Sequence, residues 1–131
     1  MSSPANNMRS PLGRARGLGS AKEGLHHWWV QRLTSLALIP LTIWFVASVI
    51  SLAGAGFNDF VIWLGNPINA TVMVVFIAVA FHHAQLGIQV VLEDYVAGHG
   101  TRIASIIIVK LVCYGLAALA IVSTLIVTFG G

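Results

Sequence analysis

The chain has 131 residues, of which 57% are hydrophobic and 8% charged, whereas a soluble domain carries about 25% charged residues. That composition excludes a water-soluble globule. At roughly 20 residues per span it leaves room for three membrane helices and no substrate domain besides. The net charge of +3 does not point to nucleic acid: Arg9, Arg14, Arg16, Lys22 and Arg32 all precede or open the first apolar run, the flank bias that orients a membrane protein.

Residues 1–24 are rich in Gly, Ser, Pro and Arg and show no apolar period, so they read as a loosely ordered cytoplasmic tail. Residues 25–131 form the membrane part. Its aromatic lead-in, Leu25 to Gln31, carries Trp28 and Trp29 at the expected headgroup level. The first span is expected over about residues 33–53. That run is too long for the apolar core of a signal peptide, so Ala53-Gly54-Ala55 is not expected to be a cleavage site. Pro40 falls inside the span, where neighbouring membrane helices accommodate its missing hydrogen bond. Gly54 to Phe60 reads as a short turn and Trp63 as an interfacial marker. Asn66-Pro67 reads as the cap and first residue of a helix.

The second span is expected over about residues 68–92 and the third over about 103–129, with Gly98-His99-Gly100-Thr101-Arg102 breaking the chain between them. Every Lys and Arg lies before span one, between spans two and three, or within two turns of the start of span three (Lys110). The loop from Gly54 to Asn66 has none. The positive-inside rule therefore predicts a cytoplasmic N-terminus and a C-terminus on the outer, periplasmic side. The single cysteine, Cys113, lies in the third apolar run and reads as a packing residue.

The stretch from Phe81 to Tyr95 holds the chemistry. Two histidines sit within an apolar span, and the span leaves the membrane through Glu93-Asp94-Tyr95. An intramembrane histidine is a functional candidate because desolvating an unpartnered imidazole is costly. At about 100° per residue, Gly87 lies about 40° from His83 and Asp94 about 20° from it. From His82, Gln89 and Glu93 each lie within about 20° and Gln85 within about 60°. Two neighbouring polar stripes result, one through each histidine. Gly87 leaves space for a flat group or a helix to approach. Both histidines can hardly ligate one metal, and periodicity does not choose between them. His83 lies roughly 18 Å along the axis from Tyr95, which puts the imidazole in the hydrocarbon and Asp94-Tyr95 at the surface. The plainer readings are an interhelical hydrogen bond for the histidine and a solvated helix end for Asp94-Tyr95.

His83-Ala-x-x-Gly followed by Asp94-Tyr95 resembles the second transmembrane helix of the small hydrophobic membrane anchor of succinate dehydrogenase, respiratory complex II. The lead-in His26-x-x-x-x-x-Arg32, followed by Thr34 and Ser35, resembles the first helix of that anchor. The resemblance spans about residues 25–129, and its specific part is these two segments. It implies that His83 is an axial ligand of a b-type haem, and that Arg32 pairs with a haem propionate, a task suited to an always-charged fork. It also implies that Tyr95 hydrogen-bonds a ubiquinone carbonyl, with Asp94 beside it. The second axial ligand would come from the partner anchor subunit, of cytochrome b556 type. With no Cys-x-x-Cys-His motif, a haem would be held without thioether links. The chain departs from the family pattern at Gln89 and Glu93, which bears on the lining of the quinone site. No family role transfers to His82, for which packing against the partner subunit is favoured over a second haem. Lys110 is expected to snorkel to the cytoplasmic face.

The expectation is therefore an all-α membrane protein with three transmembrane helices, part of a heteromeric bundle in a bacterial inner membrane. It would work with a second anchor, an iron–sulfur subunit and a flavoprotein, in contact with lipid and not with nucleic acid. One cysteine cannot hold an iron–sulfur cluster, so the chain would not oxidise succinate itself. Two alternatives remain: a structural or proton-path subunit of another complex, and a fumarate reductase anchor. A proton path is disfavoured because the second span carries little polar beyond Asn69 and Thr71 between Ile68 and Phe81.

Overall fold

The computed structural model describes residues 10–12 and 22–130; the expected tail therefore lies largely outside the described residues. Within residues 22–130 four helices follow in order: α1 (Lys22–Ser51), α2 (Phe57–Gly65), α3 (Pro67–Tyr95) and α4 (His99–Gly130). No strand occurs among the described residues. The segments Gly24–Ser51, Pro67–Tyr95 and His99–Gly130 are each long and apolar enough to cross a membrane. At 29 residues α3 is about 43 Å long, more than the roughly 30 Å of hydrocarbon, so its ends reach into the headgroup layers.

α1 takes the aromatic lead-in into the same helix as the first apolar run and continues through Pro40. It ends where Gly54 adopts a left-handed backbone, φ +82°, a conformation that costs an L-residue with a Cβ. The stretch after it, which reads as a turn in the sequence, instead winds into α2. Its first turn is closed by Asp59, whose Oδ2 accepts the Gly56 N–H at 3.0 Å. The spacing of Phe57, Phe60, Val61 and Leu64 provides one apolar stripe, and Leu64 is buried. The Gly, Asn and Asp residues around and between them mask that stripe in the sequence. α2 packs on α3 and α4, and Trp63 stacks on Trp44 of α1 at 5.7 Å between ring centroids.

α3 begins as its sequence predicts. The Asn66 side chain accepts the Ile68 N–H at 2.9 Å and Pro67 fills the first turn, where its missing donor is harmless. The α3–α4 corner turns at Gly98, φ +88°. Arg102 closes it from α4 by donating from Nε to the Val96 carbonyl at 3.3 Å.

α3 is the middle helix. It packs on α1 along one side and on α4 along another, and α1 and α4 do not pack on each other. Ala70, Cys113 and Ala117 are among the few buried side chains. Small residues at such positions let membrane helices approach closely where no hydrophobic force separates them from lipid. Leu33, Leu36, Ile43, Val46 and Ile50 of α1 are exposed, so an apolar face remains for lipid or another chain.

Candidate functional site

Because α3 is flanked on two sides, its adjacent histidines part company. His83 turns toward α1, where its Nδ1 lies 3.0 Å from Thr34 Oγ1. His82 turns toward α4, where its Nδ1 lies 3.2 Å from the Tyr114 hydroxyl and its ring stacks on that of Tyr114 at 6.2 Å. The 100° step between consecutive residues becomes a division between two helix interfaces. His82 thus finds its partner within this chain.

His83 opens on a groove made of two adjoining recesses that share His83 and Ser35. One, of about 310 Å³, is lined further by Trp28, Gln31 and Arg32. The other, of about 380 Å³, is lined by Leu38, Ile39, Thr42 and Ile43. Trp28, Arg32, Ser35, Ile39 and Thr42 follow one another at helical spacing, so the groove follows one face of α1. Its polar end carries the Arg32 guanidinium, which sits 5.5 Å from the centre of the Trp28 ring, within the range of a cation–π contact. Its deeper end is aliphatic apart from Thr42. The Ser35 hydroxyl is turned back onto the Gln31 carbonyl at 2.9 Å, which meets its own donor. On the His83 stripe, a Cβ built at Gly87 meets nothing of this chain within 4 Å. That side of α3 therefore has room for at least a methyl-sized group beside Gly87.

The second stripe is a ladder. Glu93 anchors it as the terminal acceptor. Gln89 Nε2 donates to Glu93 Oε1 at 2.8 Å, and Gln85 Nε2 donates to Gln89 Oε1 at 2.9 Å. The Tyr114 hydroxyl donates to Gln85 Oε1 at 3.4 Å. Tyr114 has then spent its one proton, so His82 Nδ1 is the donor in the contact between them. The protons of the whole series point toward Glu93. Gln85 is 1% exposed, and burial is tolerable because both ends of its amide are engaged. The ladder ends at His82 and does not continue toward the other membrane face. Two amides in series relay protons poorly, so the arrangement serves as polar packing between α3 and α4.

Asp94 and Tyr95 lie at the last turn of α3, Tyr95 83% exposed. Neither side chain has a hydrogen-bond partner among the described residues. The structure therefore brings Arg32 and His83 to one groove and leaves Asp94 and Tyr95 on an open edge. Lys110 is exposed on α4, and Cys113 is buried between helices. His27 is turned inward on α1, its Nε2 buried without a hydrogen-bond partner among the described residues.

Sequence reasoning overlooked Tyr114, Gln85 as the buried centre of the ladder, and Thr34 as the partner of His83. Each had a signal: a lone phenol in the third apolar run, an amide one turn before Gln89 in the second, and a hydroxyl two residues after Arg32. None of those signals names a partner.

A family model described as succinate dehydrogenase/fumarate reductase transmembrane subunit matches residues 6–127. The succinate dehydrogenase hydrophobic membrane anchor subunit of Rickettsia conorii is 33% identical over 108 residues, covering 82% of this chain and 86% of that protein. The protein of the same name from Paracoccus denitrificans is 35% identical over 98 residues, 75% of each chain. The succinate dehydrogenase membrane anchor subunit of Reclinomonas americana is 32% identical over 94 residues, 70% of this chain and 78% of that one. No solved structure gives a significant match. With its three apolar helices and a family match running through all of them, the chain is a multi-pass membrane protein of the succinate dehydrogenase/fumarate reductase transmembrane subunit family.

Proposed function

We propose that this chain is the small membrane anchor of a succinate:quinone oxidoreductase in a bacterial cytoplasmic membrane, with its N-terminus in the cytoplasm. In that role His83 and Arg32 would hold a b-type haem, and Tyr95 and Asp94 would form part of one wall of a ubiquinone-reduction site. A second anchor subunit completes the haem pocket. An iron–sulfur protein docks at the cytoplasmic face and passes on electrons from a flavoprotein that oxidises succinate.

The observation that carries the reading is the single groove onto which His83 and Arg32 both open, with free space over Gly87 on the same stripe. A neutral imidazole suits an iron ligand. A guanidinium at the polar end suits a propionate, as a forked cation pairs with a carboxylate. Aliphatic side chains at the other end suit the edge of a macrocycle. The residues fit the group. Bound there, a haem supplies reversible one-electron storage; the chain's part is to hold it and exclude water.

The quinone end works differently. Tyr95 is about 18 Å along α3 from His83, at the level where the iron–sulfur partner would dock. Its hydroxyl would donate a hydrogen bond to a quinone carbonyl oxygen as negative charge develops there during reduction, stabilising the charged form most. Asp94, one residue earlier, would carry a proton toward that oxygen. The exposure of Tyr95 agrees with a site whose other walls belong to partner chains.

A reduced-minus-oxidised spectrum of the purified complex tests the assignment. We expect the b-type signal to be lost or strongly shifted in His83→Ala and retained in His82→Ala. An unchanged spectrum in His83→Ala removes the ligand assignment.

A further inference from the structure

Thr34 is the α1 residue that meets the polar edge of His83, its Oγ1 3.0 Å from Nδ1. A hydroxyl owns one proton and two lone pairs. Two carbonyls of its own helix lie within reach, Val30 O at 2.8 Å and Gln31 O at 3.0 Å. A threonine inside a helix gives its proton back to the preceding turn, and here the shortest contact goes to that turn. The lone pairs then face His83, so Nδ1 must carry the imidazole hydrogen. A neutral imidazole protonated on Nδ1 keeps its lone pair on Nε2. Were the hydroxyl to donate to Nδ1 instead, the ring hydrogen would sit on Nε2 and no lone pair would remain for a metal.

We infer that Thr34 is a positioning residue: by accepting the Nδ1–H of His83 it selects the tautomer that offers Nε2 to the groove, and it holds the ring's orientation from α1. The inference rests on the reading of His83 as a haem ligand. It extends that reading to strength, because a hydrogen bond accepted from the far nitrogen makes an imidazole a better electron donor to its metal. A better donor favours the oxidised iron, so Thr34 holds the midpoint potential of the bound group down. It also couples α1, which carries Arg32, to α3, which carries the ligand.

The test uses the complete purified complex carrying Thr34→Val, Thr34→Ser, Thr34→Ala or His83→Ala. The readouts are haem per complex, haem lost to excess apomyoglobin, and the midpoint potential by redox titration. Thr34→Val keeps the volume and removes the acceptor. It is expected to weaken haem retention about ten-fold or more and to move the potential of the remaining haem to more positive values. Thr34→Ser is expected to restore both. If Thr34→Val matches the wild type in retention and potential while His83→Ala loses its haem, the ligand reading stands and the role of Thr34 falls. If His83→Ala keeps its haem, both fall. If the complex assembles with Ser but with neither Val nor Ala, the inference is again overturned, because the hydroxyl would then be a requirement of helix packing.

Discussion

Gln85 offers a quantitative test of how α3 and α4 are held together. Its side chain is 1% exposed, donates to Gln89 and accepts from Tyr114. Replacing it with Leu keeps most of the volume and removes both bonds. The contact with Gln89 lies within one helix, and Gln89 retains Glu93 as a partner. Tyr114 can turn its proton to His82 Nδ1 once that imidazole changes tautomer, so each former partner retains one hydrogen bond. The loss should therefore fall at the low end of the range for disrupting a buried polar contact, about 1 kcal/mol. The interhelical part is smaller still. Hydrogen bonds between membrane helices average about 0.6 kcal/mol by double-mutant cycles, and the 3.4 Å from Tyr114 to Gln85 is long for a hydroxyl donor. The cycle formed by Gln85→Leu and Tyr114→Phe should give a coupling of about 0.6 kcal/mol or less. Reversible denaturant unfolding of the complex in bicelles provides the four stabilities. A coupling above about 1.7 kcal/mol, the top of the membrane range, would refute the view of this ladder as ordinary polar packing. It would mean that the ladder's side chains, from His82 to Glu93, act as one unit.

Gly87→Leu starts from a Cβ that meets nothing of this chain within 4 Å. It should nevertheless cut the haem content of the complex, read from the pyridine haemochrome; full occupancy would move the cofactor away from this face. Tyr95→Phe should lower succinate-dependent quinone reduction at least about ten-fold, the worth of about 1.4 kcal/mol of transition-state stabilisation. The haem spectrum should not change, and equal losses of both would make Tyr95 a structural residue. Gly54→Ala should cost about 1–2 kcal/mol by forcing a Cβ into left-handed backbone, while Gly65→Ala, at ordinary φ and in open space, should cost little. Thermal unfolding of the two variants side by side checks that order.

Much of the architecture was legible because its cause is local. A run of apolar residues long enough to cross hydrocarbon must satisfy its own backbone, so Pro67–Tyr95 and His99–Gly130 are helices whatever surrounds them. Asn66-Pro67 starts α3 by a contact within two residues, and Gly98 ends the corner by its own backbone freedom. The two histidines stood out because an imidazole in an apolar setting demands a reason, whereas Arg32 and the choice of His83 over His82 came only with the resemblance of two short segments. α2 escaped notice because its helical stripe is only nine residues long and is interrupted by residues that also favour turns.

What the chain could not announce is which helix stands beside which face. The spacing of His82 and His83 determines an angle of about 100° between them. Only the placement of α3 between α1 and α4 turns that angle into two separate environments, a groove with Arg32 and a ladder ending at Glu93. The hydrogen-bond partners of the two imidazoles, Thr34 at a separation of 49 residues and Tyr114 at 32, are brought near by helix packing. Helical periodicity is a property of one segment; contact is a property of two. The sequence by itself therefore determined the spans and the residues able to do chemistry, while the tertiary structure decided which of them work together.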